Sequence, residues 1–190
     1  MAKQYGQIDE AHRTFIEQQK IFFVGTAGQS GRVNVSPKGM DSLRVLSPNR
    51  VVWLSVTGSG NESAAHVIEN GRMTVMFCAF EGAPMILRLY GEAKVIYPRD
   101  ADWDDLIGQF PALPGTRQLF DLQVDLVQTS CGMAVPLYDY QSERKALNQW
   151  AEQKGSDGIE TYWDQKNRVS IDNMPTHIFA EDASPVQTST

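Results

Sequence analysis

Apolar and polar residues alternate in short runs along most of the first 130 positions, and a few stretches with helical spacing interrupt them. Behind Asp9, a residue suited to capping, Ala11, Phe15 and Ile16 fall on one face and predict a short opening helix. Residues 21–26 are β-branched and aromatic, 27–31 carry turn chemistry and 32–36 alternate polar residues with valine, which predicts a hairpin. A second hairpin follows, in which 43–46 and 51–56 flank Ser47, Pro48, Asn49 and Arg50. The run 57–60 breaks the strand, and Asn61 is placed to cap a helix through Ala64, Ala65, Val67 and Ile68 that stops at Gly71. Residues 73–80 and 85–97 read as central strands of a closed or nearly closed sheet.

Asp100 is placed to cap a helix carrying Trp103, Leu106, Ile107 and Phe110, and strict alternation at Phe120, Leu122, Val124 and Leu126 predicts a half-buried strand. Ser142 reads as the cap of a helix that uses Leu147, Trp150 and Ala151 and ends at Gly155, with a further helical piece at Ile159, Tyr162 and Trp163. The expectation is one mainly β domain over residues 1–180, with a barrel core at about 20–130, a helical extension at about 140–175 and a flexible tail at 181–190.

Composition narrows the function classes. A formal charge of −6 disfavours general binding to nucleic acid or anionic lipid, and no apolar run approaches the roughly 18 residues of a membrane span. With a polar stretch at 1–7, the expectation is a soluble, cytoplasmic protein. Cys78 and Cys131 lack metal-site spacing and the three histidines are scattered, so neither a disulfide framework nor a metal site is signalled; Cys78 reads as a buried thiol.

The sharpest local signal is TGSGNESAAH at 57–66, which follows an apolar strand and opens a helix. Glycines let the backbone approach an anion, while unsatisfied N–H groups and the helix dipole favour one. Ser59, Asn61 and Ser63 are therefore candidate phosphate neighbours, or, equally, Asn61 and Ser63 merely cap the turn; the charge of Glu62 opposes the anion reading. The same turn imitates a dinucleotide fingerprint, Gly58-x-Gly60-x-x-Ser63 with Glu81 downstream, but hairpins surround it where a doubly wound fold needs strand and helix to alternate. In VNVSPKG at 33–39, Ser36 and Lys38 sit where a strand leaves the sheet and could neutralise a phosphate. Arg88 lies inside an apolar strand and needs a partner, whether ligand or carboxylate. No nucleophile elbow, zinc-protease motif or P-loop occurs, so a cofactor would carry any hard chemistry.

The ordered series FFVGTA, VNVSPKG, VVWLSVTGSGNESAAHVIENGR, MTVMFCAF and ILRLYG resembles the pyridoxamine 5′-phosphate oxidase-like, FMN-binding split-barrel proteins, over about residues 15–127. That resemblance implies a six-stranded antiparallel Greek-key split barrel, a homodimer with FMN at the subunit interface, and FMN-dependent oxidoreductase activity on a small molecule. It places the cofactor's phosphate near Ser36, Lys38, Thr57, Ser59, Asn61 and Ser63, and Arg88 toward the flavin. Authentic oxidases usually present an Arg-Lys pair where this chain has Glu62 and Ser63, which predicts weakened or altered FMN binding. The arginine-and-tryptophan pattern that holds the vitamin B6 phosphate is not evident at 162–175, so vitamin B6 oxidation is not implied. The competing expectation is a split-barrel binding module that has lost FMN and binds another anion or a protein.

Overall fold

A computed structural model describes residues 2–180; the tail at 181–190, expected to be flexible, lies outside the described residues. The strands are β1 (Lys3–Tyr5), β2 (Phe22–Thr26), β3 (Asn34–Lys38), β4 (Leu43–Ser47), β5 (Arg50–Val56), β6 (Arg72–Cys78), β7 (Ile86–Ile96) and β8 (Thr116–Ser130). Helices α1 (Glu10–Gln18), α2 (Glu62–Asn70), α3 (Trp103–Ile107) and α4 (Ala146–Lys166) interrupt or follow them. The strands form one antiparallel sheet in the order β3-β2-β6-β7-β8-β5-β4, with β1 added alongside β8. The edges β3 and β4 do not pair, so the sheet is a split barrel. Its eight strands exceed the six that the resemblance implies, and β1, which no alternation announces, is one of the extra ones.

Register assigns each side chain to a face, because directly paired residues project the same way. Ser36, Val24, Val75, Leu89 and Val127 form one inward row, and the four apolar members are completely buried. Trp53 fills the same interior, stacked on Phe120 with ring centroids 4.4 Å apart. A second core of Val52, Leu54, Ile96 and Leu119 lies on the other side of β5 and β8, under Leu106 of α3 and Phe110. That cover buries Leu119, and the end of α4 with the 57–60 turn buries Arg117, so Arg117 through Leu122 does not alternate.

Four local expectations are corrected. Ala11 is exposed; α1 buries His12 and Ile16 instead, because the His12 imidazole accepts the Asp9 N–H in a capping box and packs edge-on against Tyr5. Leu126 does not continue the inward row of Phe120, Leu122 and Val124: a bulge beside Gly91 shifts the register and turns Val127 inward. Glycine is required there, since a Cβ at Gly91 would overlap the Gln123 carbonyl oxygen. Ser142 does not cap α4, which begins at Ala146, although Gly155 breaks the helix as the sequence suggests, with φ 65° and ψ 176°. Finally, Asn61 stands at the N-cap of α2 without a side-chain capping bond, its amide being engaged elsewhere.

Candidate functional site

Ser36 and Lys38 share the inward face of β3, and with Asn34 they point toward the start of α2: Asn34 Nδ2 donates to Ser63 Oγ at 3.1 Å. Ser36 Oγ is shielded from solvent and has no hydrogen-bond partner among the described residues. The Lys38 ammonium lies 5.5 Å from the centre of the Trp53 ring. Burial, reinforced by the Arg117 charge and opposed by Glu62, holds it well below the ordinary lysine value, at about 8.

Arg117 is the residue that sequence reasoning missed. Only 5% exposed, it donates from Nη1 to Gly60 O at 3.0 Å and to Asn167 Oδ1 at 2.8 Å, and from Nη2 to Ser55 Oγ at 3.3 Å. Its Nε has no partner among the described residues. Burial lowers its pKa to about 10 against the pull of Tyr97, Glu62 and Tyr162. Neither Lys38 nor Arg117 forms an ion pair with a carboxylate among the described residues. The buried Arg117 at the turn before α2 and the half-buried Lys38, within electrostatic range of it, thus lack a paired carboxylate among the described residues, an arrangement that is costly for the buried guanidinium unless an anion compensates it.

The C-terminal segment covers this turn. Trp163 Nε1 donates to Thr57 Oγ1 at 2.8 Å, the Thr57 hydroxyl donates to Gly115 O at 2.8 Å, and Asn167 Nδ2 donates to Gly58 O at 3.3 Å. Asn61 and Gln118 exchange two amide hydrogen bonds, at 2.7 and 3.2 Å. Of the residues read from sequence, then, Ser36, Lys38, Asn61 and Ser63 meet around the turn. Ser59 is exposed at its rim, and the side chains of Thr57 and Asn61 spend their hydrogen bonds on the protein itself. Arg88 is not brought there. It lies in the outward row with Pro37, Phe23, Met76 and Gln128, and donates to Ser130 Oγ at 3.2 Å.

Where β3 leaves the sheet, Lys38 also lines a cleft of about 1260 Å³ with Phe23, Pro37, Phe80, Tyr138 and Tyr140. His66 is a core histidine, 1% exposed and bonded through Nδ1 to Thr26 Oγ1 at 3.1 Å. Cys78 is buried and Cys131 exposed, and among the described residues no cluster of three acidic, histidine or cysteine side chains could hold a metal. No helix among them is long and apolar enough to cross a membrane.

An antiparallel barrel left open between β3 and β4 defines the split-barrel class. The sequence profile described as pyridoxamine 5′-phosphate oxidase matches residues 8–131, and the chain belongs to that family. It is 37% identical to the pyridoxamine 5′-phosphate oxidase family protein ustO of Aspergillus flavus, over 90% of this chain and 76% of that protein. Among solved structures, HupZ of Group A Streptococcus superposes with a TM-score of 0.52 at 17% identity, covering 65% of this chain and 99% of its own. A candidate pyridoxamine 5′-phosphate oxidase of Lactobacillus delbrueckii gives the same TM-score and identity, covering 65% of this chain and 94% of its own. At that identity the two structures establish the shared fold.

Proposed function

We propose that the protein is an FMN-binding flavoprotein, an FMN-dependent oxidoreductase acting on a small molecule. The observation that carries this reading is the half-buried Lys38 and the buried Arg117, together with the solvent-shielded Ser36 Oγ, which has no partner among the described residues. These residues fit a phosphate: the cations neutralise it, the Ser36 hydroxyl donates to it, and the first N–H groups of α2 add donors and a favourable dipole. FMN, when bound, supplies hydride and electron transfer. The protein's own part is to hold the phosphate and to offer an apolar wall, Phe23, Phe80 and Tyr138, along the cleft that begins at Lys38, limiting water there.

Homodimerisation is part of the proposal. The outward face of β3, β2, β6 and β7 presents Val35, Phe23, Met76 and Tyr90 half-exposed or exposed, with Val33 and Val35 at 71% and 65%. Such a face suits burial against a second copy. The expected result is a yellow protein with a flavin absorbance spectrum that releases FMN on heating and sediments at twice 21.2 kDa. A colourless protein whose added FMN keeps its free fluorescence at all concentrations refutes the flavin reading. The alternative of a binding module without FMN draws on one specific feature, the Glu62 carboxylate at the cationic turn.

A further inference from the structure

Glu62 is the first residue of α2, and its carboxylate folds back over the turn: a Cβ on Gly60 would lie 2.5 Å from each of its oxygens. One oxygen accepts the Ile171 N–H at 3.3 Å, while the carbonyl of Gly60 accepts from Arg117 at 3.0 Å. Glu62 is therefore held at the same turn as the guanidinium, by a loop that also carries Asp172, itself bonded to the Arg32 backbone N–H at 2.7 Å. Its charge acts on Lys38 and on Arg117 alike. Neither cation reaches it as a direct ion pair, so the carboxylate compensates both from a distance, while Arg117 Nε and Ser36 Oγ keep no partner among the described residues.

Resting on the reading of this cradle as the flavin phosphate site, we infer that Glu62 is a specificity-determining residue, a tethered anion that narrows the cradle's preference for a phosphate monoester dianion over singly charged oxyanions. Two cations less one carboxylate leave one positive charge. A phosphate monoester carries about −1.5 to −2 near neutral pH, so its binding drives the buried site to net negative charge beside Glu62. A singly charged group, such as a phosphodiester or a carboxylate, brings the site to neutrality. At this partly buried turn that difference is screened less than on an open surface, and it acts on the phosphate's share of affinity without touching the ring's.

The test compares FMN with riboflavin, which lacks the phosphate, by fluorescence titration of the full chain and its variants. In Glu62→Gln, which keeps the shape and the acceptor for Ile171, the ratio of FMN to riboflavin affinity is expected to rise at least tenfold while riboflavin affinity stays within a factor of two. Glu62→Asp, which keeps the charge, is expected to leave the ratio near that of the parent. An unchanged or lower ratio in Glu62→Gln overturns the inference. If no flavin binds to any form, thermal denaturation in inorganic phosphate decides. Greater stabilisation of Glu62→Gln than of the parent upholds the role of Glu62 and removes the flavin reading; equal response removes both.

Discussion

Replacing Lys38 by methionine is expected to stabilise the ligand-free protein near neutral pH and to abolish its affinity for a phosphate-bearing flavin. Methionine keeps the length of the stem over Trp53 and removes a charge that burial disfavours. In the folded chain the ammonium loses its proton at about 8, whereas the ordinary value is 10.5. Below pH 8 both folded and unfolded chains carry the proton, and the folded one bears the full cost of a buried charge. Between about 8 and 10.5 the unfolded chain binds more protons, so stability rises with pH, by up to about 3 kcal/mol. The methionine variant lacks that increment because it never carried the cost. Urea denaturation at pH 7 is expected to show it more stable by about 1–3 kcal/mol, after allowance for the lost cation–π contact. The advantage shrinks toward pH 10. A bound phosphate would raise the Lys38 pKa again, so FMN affinity of the parent is expected to fall as pH climbs past 8. A methionine variant less stable than the parent at pH 7 contradicts this account.

A residue held at a cost to stability makes sense only in relation to a ligand, and this separates what the sequence exposes from what it hides. Alternation located every strand but β1, and the break at 57–60 located the turn that opens α2, because both are local signals. Ser36 and Lys38 were legible for the same reason: residues two apart on a strand share a face. Arg117 was not, since in GTRQLF it reads as the polar lead-in to an apolar strand. Its burial is created by Asn167 and the end of α4, some 50 positions later, and by a turn 57 positions earlier. The available signal was two adjacent polar residues, Arg117 and Gln118, that lead directly into the strictly alternating run. Asn61 misled in the opposite direction. Its type and position suit a cap, yet its amide finds a reciprocal partner in Gln118, on a strand that no local pattern connects to the turn. Arg88 shows that a charge in an apolar strand marks a face but does not say which one.

Arg117→Met is expected to reverse the Lys38 result on stability while matching it on binding. Both substitutions remove a buried cation, but Arg117 is also the tie between three parts of the chain: Ser55 on β5, Gly60 in the turn and Asn167 after α4. Methionine strands the Asn167 side-chain oxygen away from water and takes the donor from the half-buried Gly60 carbonyl, and an unsatisfied buried acceptor costs about 1–3 kcal/mol. Relief of the buried charge offsets part of this, so a net loss of about 2–4 kcal/mol in urea denaturation is expected. Amide hydrogen exchange is expected to quicken in the residues around Asn167, because one of the bonds holding them to the turn is gone. FMN affinity is expected to drop at least a hundredfold, with riboflavin affinity reduced far less, since a charge-assisted partner of the phosphate is removed. Arg117→Lys restores the charge without the planar fork. It is expected to recover most of the FMN preference and little of the stability. Fastening of the C-terminal segment and the anion binding proposed for the guanidinium thereby come apart in measurement. An Arg117→Met protein that retains FMN affinity within threefold of the parent would mean that the phosphate is held elsewhere.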